Sequence, residues 1–166
     1  MSATASAAAP PQPPLTVVLH QPEIPPNTGN VARTCAATGC RLLLIEPLGF
    51  DIDDAAVQRA GLDYWDQVEV RTLPDWSALQ AEAGDAQMVL ASSHGGRRYD
   101  RLPYRQGAYL VLGSETRGLP VELREHYRES CVRIPMRAGA RSLNMANAAA
   151  VLVYEALRQI GAPGLR

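Results

Sequence analysis

Three stretches of the chain carry residues whose types and spacing suit ligand chemistry. The first, Leu112-Gly-Ser-Glu-Thr-Arg-Gly-Leu-Pro120, follows the apolar run Tyr109–Leu112, which reads as a strand. Small ligands of open α/β sheets bind at the carboxyl ends of the strands. Gly113 and Gly118 let the backbone approach such a ligand closely, and a plain turn would need neither Glu115 nor Arg117. The second, Ile134-Pro-Met-Arg-Ala-Gly-Ala-Arg-Ser-Leu-Asn144, also leaves a strand and then enters a helix. Ser142 or a neighbouring Asn can cap that helix, and its free N–H groups suit an electronegative ligand. The third, Asn27-Thr-Gly-Asn-Val-Ala-Arg33, follows an extended loop imposed by Pro22, Pro25 and Pro26. Its Asn and Thr side chains are expected to cap a helix over Val31–Thr38 that Gly39 closes.

Several familiar chemistries are disfavoured. No G-x-G-x-x-G follows the first strand, so an ordinary dinucleotide site is poorly supported. Gly113–Gly118 has the glycine spacing of a phosphate loop, but Leu119 and Pro120 stand where Lys and Ser/Thr are required. His94-Gly95-Gly96 has no nucleophile elbow to serve. His20, His94 and His126 are scattered, and Cys35 and Cys40 lack a usual zinc spacing, so no metal is expected.

The elements that position these stretches follow from periodicity and punctuation. Thr16–His20, Arg41–Ile45, Val68–Arg71, Met88–Ser92, Tyr109–Leu112 and Val132–Ile134 read as strands. Helices are expected from Asp53 or Asp54 through Ala60, over Trp76–Ala83, over Val121–Glu125 and from Asn144 to Ile160. Ser93–Gly107 reads as a polar, Arg-rich loop. Strands alternating with helices predict an α/β fold whose parallel sheet is covered on both faces. Residues 1–14, rich in Ala and Pro, read as a disordered tail, leaving one domain over residues 15–166.

The last helix presents Met145, Ala148, Ala149, Leu152, Ala156 and Ile160 as one apolar stripe. Asn147, Ala150, Val151 and Tyr154 add a second surface, more than packing on one sheet needs. The first helix is small on several sides at Ala32, Cys35, Ala36 and Ala37. Both features predict a homodimer, the alternative being a monomer whose loops cover this surface.

All 16 basic residues are Arg, and they are segregated. Residues 1–90 hold 4 Arg and 11 acids; residues 91–166 hold 12 Arg and 6 acids. Such a distribution can form a basic face on a chain of net charge −1 and favours an anionic partner. Asp100 beside Arg101, and Glu122, Glu125 and Glu129 among Arg124 and Arg128, read instead as surface pairs. Three cysteines without a disulfide framework fit a reducing, cytoplasmic compartment. No apolar run approaches the ~20 residues that cross a bilayer.

Taken together the three stretches resemble the motifs of the SPOUT methyltransferases. Pro22–Asn30 with Arg33 is similar to motif one, Gly113–Pro120 to motif two, and Ile134–Met136 through Ser142–Asn144 and Asn147 to motif three. With Glu46-Pro47 and Gly61–Tyr64 they resemble the TrmL-type tRNA (cytidine/uridine-34-2′-O)-methyltransferases, over about Leu15 to Gly164. Ser114 stands where the family usually has Pro, and Ser93-His94-Gly95 where a Thr/Lys-type sequence is expected.

The resemblance implies a Rossmann-like sheet with a C-terminal trefoil knot, a homodimer, and S-adenosylmethionine as methyl donor to a tRNA ribose. It implies cofactor contacts at Ala91, Gly113, Ile134, Met136, Ser142 and Leu143. It implies a catalytic group of Arg33, Asn30, Glu115, Ser142 and Asn144. The resemblance assigns Arg33 to activating the ribose hydroxyl. Because a guanidinium is a reluctant base, Arg33 is read instead as holding phosphate and stabilising developing alkoxide charge, with Asn30 orienting it and Glu115 and Asn144 holding the loops. Arg33, Arg97, Arg98, Arg101, Arg105, Arg137 and Arg141 are the candidates for RNA contact. The competing readings are a 2′-O-methyltransferase of another tRNA or rRNA position, and a non-catalytic RNA-binding module.

Overall fold

The computed structural model describes residues 12–53, 55, 57, 59 and 64–166. Residues 1–11 of the expected tail, and part of the helix expected up to Ala60, lie outside the described residues. Pro14 is buried and its carbonyl accepts a hydrogen bond from Gly107 N, so the folded region includes it.

Strand β1 is Leu15–His20, followed by helix α1, Pro25–Thr38, and strand β2, Arg41–Ile45. Then come β3 (Val70–Leu73), α2 (Trp76–Ala83), β4 (Met88–Ala91), β5 (Arg97–Arg98) and β6 (Ala108–Leu112). The chain closes with α3 (Val121–His126), β7 (Cys131–Arg133) and α4 (Met145–Ile160). The seven strands form one sheet in the order β3-β2-β1-β6-β4-β7-β5, and every described pairing is parallel.

All residues of β1 and β6 are buried, as a central parallel strand covered on both faces requires. Their side chains alternate between two cores. Val17, Leu19, Leu42, Leu44 and Leu110 meet Val31, Ala32 and Cys35 of α1 and Ala149, Leu152, Val153 and Leu157 of α4. Val18, Leu43, Ile45 and Val111 meet Leu79 of α2 and Leu119 on the other face.

Four details differ from the sequence reading. Helix α1 begins at Pro25, six residues before Val31, with Ile24 as an extended N-cap (φ −107, ψ 108) that makes no side-chain cap. Proline at the first helical positions needs no N–H partner and presets φ, so Pro25 and Pro26 start the helix rather than prolong a loop. Strand β3 lies two residues further on than Val68–Arg71. The Arg-rich loop contains the two-residue strand β5 and a 3₁₀ turn at Tyr99–Arg101. In α4 the buried face is wider than the expected stripe, taking in Val153 and Leu157, while Val151 and Tyr154 stay 37% and 54% exposed.

The connection from β4 to β5 spans β7, which lies between those two strands although it comes later in the chain. Ser92 N donates to the Val132 carbonyl at 2.9 Å, and Arg97 pairs with Val132. The two ligand loops leave the ends of β6 and β7, the strands on either side of β4.

Candidate active site

A cavity of about 670 Å³ lies at the carboxyl ends of β4, β6 and β7. Its lining includes Ala91, Gly113, Ile134, Met136, Ser142 and Leu143, so the fold brings all six expected cofactor contacts together. The loop after β6 is shaped by its glycines. Gly118 N donates to the Ser114 carbonyl at 2.8 Å, and Gly118 takes a left-handed φ of 66°. A Cβ on Gly113 would lie 2.1 Å from the Gly118 carbonyl carbon, so only glycine fits where the loop folds back on its strand.

Glu115 faces the start of α1. Its carboxylate accepts from Glu23 N at 2.7 Å, Ile24 N at 3.0 Å and Asn27 Nδ2 at 3.2 Å. The acceptor lacking at the N-cap is thus supplied from another element, where the helix dipole also favours negative charge. Asn27 Oδ1 in turn accepts from Asn144 Nδ2 at 2.9 Å. Asn144 Oδ1 caps α4 by accepting from Ala146 N at 2.9 Å and Asn147 N at 3.2 Å. The cap left open between Ser142 and an Asn is therefore Asn144. One hydrogen-bond chain, Glu115–Asn27–Asn144, joins the three stretches. Asn27, its central member, was not among the expected site residues. Its signal was an amide within a proline-rich helix start, where it was read as a cap.

Asn144 also lines a second cavity, about 600 Å³, with Asn30, Arg33, Thr34, Ala37, Asn147 and Tyr154 among its walls. Asn30 and Arg33 share this cavity, but among the described residues no hydrogen bond joins them. The Arg33 guanidinium instead lies over the Tyr64 ring, 4.9 Å from its centroid, a cation–π contact.

The arginines divide. Arg141 lines the larger cavity, and Arg137 is exposed on the same loop. Arg101 and Arg105 are exposed beyond β5, away from both cavities, while Arg97 is half-buried in it. Arg98, not Arg101, is the ion-pair partner of Asp100, at 2.9 Å. Arg124, read as a surface-paired residue, lines the larger cavity together with Arg117. Arg128 pairs with Glu129 at 3.8 Å.

Burial lowers the pKa of His20 at the end of β1, and the positive charge of Arg117 lowers it further. Burial raises the thiols of Cys35, Cys40 and Cys131, so none is poised as a nucleophile. Among the described residues no helix is long and apolar enough to cross a membrane.

The seven-stranded parallel sheet with helices on both faces defines an α/β fold, with a cavity of ligand size at the carboxyl end of its strands. The profile of the SpoU rRNA Methylase family matches residues 14–154, and the chain belongs to that family of methyltransferases. A tRNA (cytidine(34)-2′-O)-methyltransferase of Burkholderia ambifaria is 53% identical over 151 residues, covering 89% of this chain and 97% of that protein. A solved structure concerned with 2-OH methylation of C/U34 on tRNA is 44% identical, covers 87% of this chain and 95% of its own, and superposes with a TM-score of 0.84. An AdoMet-bound rRNA methyltransferase of Sinorhizobium meliloti is 26% identical, covering 91% of this chain and 58% of its own, with a TM-score of 0.80.

Proposed function

We propose that this chain methylates the ribose 2′-hydroxyl of nucleotide 34 in tRNA with S-adenosylmethionine as donor. The observation that carries the reading is the single hydrogen-bond chain, Glu115–Asn27–Asn144, that joins a cofactor-sized cavity to the cavity holding Arg33. The 53% identity to a relative named for that reaction supports the choice of nucleotide.

The larger cavity falls within the range of roughly 300–1,000 Å³ usual for small-molecule sites. Its walls fit the donor: apolar surface from Ala91, Ile134, Met136 and Leu143, backbone left bare at Gly113, and the hydroxyl of Ser142. When bound, S-adenosylmethionine supplies an electrophilic methyl group. The task of the chain is then to align the ribose and to manage charge, and alignment alone can lower a barrier by several kcal/mol.

Arg33 serves that second task. A guanidinium stays protonated at any working pH, so its contribution is to hold phosphate and to stabilise charge developing on the 2′-oxygen. The Tyr64 ring limits where that charge can sit. Asn30 shares the cavity as a further polar contact. Arg137 and Arg141 lie on the loop closest to the reaction, and Arg97, Arg98, Arg101 and Arg105 extend the positive surface for RNA phosphates.

The enzyme works as a homodimer through α1 and α4. Val151 and Tyr154 are exposed there, and Tyr154 borders the cavity of Arg33, so a partner seated on this face would enclose that cavity. The chain is knotted at its C-terminal side. The position of β7 between β4 and β5, with the Ser92–Gly96 connection resting on it, supports that topology. The enzyme is cytoplasmic.

Incubation with methyl-labelled S-adenosylmethionine and total tRNA tests the function. Label should appear in 2′-O-methylated nucleosides, and Arg33→Ala should abolish it. Near-full turnover in Arg33→Lys would show that the planar guanidinium is unnecessary and overturn its assigned role.

A further inference from the structure

Arg133 closes β7 and reaches the connection that spans its strand. Its Nη1 donates to the Gly95 carbonyl at 3.1 Å and to the Gly96 carbonyl at 2.9 Å. The main chain sets the same contact. Ser92 N donates to the Val132 carbonyl at 2.9 Å, and Gly95 N donates to the Ser92 carbonyl at 3.0 Å. A Cβ on Gly95 would lie 2.5 Å from the Val132 carbonyl carbon, so the connection rests directly on the strand backbone.

This contact bears on the larger cavity. Ser92, Ser93 and His94 contribute to one part of its wall, and Val132 and Ile134 to another. Arg133 itself lies outside the lining. Its two charge-assisted hydrogen bonds therefore fix how closely two wall segments approach each other without occupying the space between them. Main-chain bonds hold Ser92 and the turn at Gly95, and the Arg133 side chain adds bonds to the carbonyls of Gly95 and Gly96. A guanidinium suits the task because it stays charged and presents fixed, diverging N–H groups.

We propose that Arg133 is a positioning residue for the cofactor site, clamping the Ser92–Gly96 connection onto β7 so that the cavity is formed before the cofactor arrives. The proposal rests on the reading of that cavity as the S-adenosylmethionine site. Preorganisation of this kind acts on affinity, since a wall that must be ordered on binding subtracts its ordering cost from the interaction.

The test uses the full chain and the variants Arg133→Ala and Arg133→Lys. Affinity for S-adenosylmethionine is measured by calorimetry, kcat and cofactor KM by tRNA methylation, and amide exchange on the cofactor-free protein. Arg133→Ala should bind the cofactor about tenfold more weakly, the lower end of what hydrogen bonds to a charged group contribute. KM should rise while kcat at saturating cofactor holds. Exchange should quicken at residues 92–96 and not in β1 or β6. Arg133→Lys should recover part of both effects, because an ammonium can still donate to both carbonyls. Unchanged affinity and unchanged exchange in Arg133→Ala would overturn the proposal, as would faster exchange spread through the whole sheet. Should the alanine variant fail to fold, Arg133→Gln carries the same test, its shorter neutral amide being a poorer clamp. Absence of cofactor binding by the unsubstituted protein would overturn the cofactor reading itself, and the exchange measurement would still decide whether Arg133 holds the connection.

Discussion

The side-chain amide of Asn144 donates to the side-chain oxygen of Asn27 at 2.9 Å, joining the start of α4 to the first turn of α1 across 117 positions of sequence. The same Asn144 caps α4 with its oxygen, so its two ends perform separate tasks. Asn144→Asp separates them. The carboxylate keeps the cap but faces the Asn27 oxygen with an acceptor in place of a donor. Rotating Asn27 to compensate would turn its oxygen toward Glu115. Stability should stay within about 1 kcal/mol, the usual value of a cap, while methylation falls steeply. Asn144→Ala should lose both. Denaturant unfolding beside the methylation rate checks this, and wild-type turnover in Asn144→Asp would refute it.

Gly113→Ala places a methyl group 2.1 Å from the Gly118 carbonyl carbon, against backbone that has little room to yield. Overpacking of this kind costs about 1–3 kcal/mol, and here the strain falls on the loop lining the larger cavity. The variant is expected to melt at a lower temperature and to bind S-adenosylmethionine measurably more weakly. Calorimetry of both properties is the check; an undisturbed affinity would mean that the loop tolerates displacement.

His20 is buried against the edge of Trp76, and burial followed by the charge of Arg117 lowers its pKa. The unfolded chain binds this proton near the ordinary value of about 6.5, and the folded chain only at lower pH. Between those two values the unfolded state carries more protons, so stability falls as pH falls. The His20 contribution is fully present above about pH 6.5 and is lost as pH drops through the lowered native value. His20→Gln should flatten the decline in unfolding free energy below about pH 6.5 relative to wild type. Parallel pH profiles for the two proteins would remove His20 from the account.

Val151 and Tyr154 lie on a face of α4 that is left exposed among the described residues, and Tyr154 borders the cavity of Arg33. Val151→Glu would bury a carboxylate in a dimer interface and leave a monomer undisturbed. Sedimentation should show a dimer in wild type and a monomer in the variant, with methylation lost together with the dimer. A monomeric wild-type protein would contradict the shared-site reading.

The strands of the central sheet were legible because apolar runs such as Tyr109–Leu112 are bounded by Gly and Pro and buried on both faces. The six lining residues were named from the family resemblance; five of them lie in stretches that leave strand ends, and Ala91 itself ends β4. What escaped was non-local. The two-residue strand Arg97–Arg98 has no apolar pattern, and only pairing with β7 makes it a strand. The place of β7 between β4 and β5 depends on sheet order, for which no local residue codes. The start of α1 was misplaced because Pro25 and Pro26 both break and begin helices. Asn27 was overlooked as the central link because both its partners, Glu115 and Asn144, are distant in sequence.

The central claim is transfer of a methyl group to one ribose of the anticodon loop. Its most direct test is mass spectrometry of nuclease fragments from tRNA incubated with the protein and S-adenosylmethionine. The account predicts one added methyl on the 2′-oxygen of nucleotide 34, absent when Arg33→Ala replaces the wild type. No ribose methylation, or methylation at another position, would contradict it.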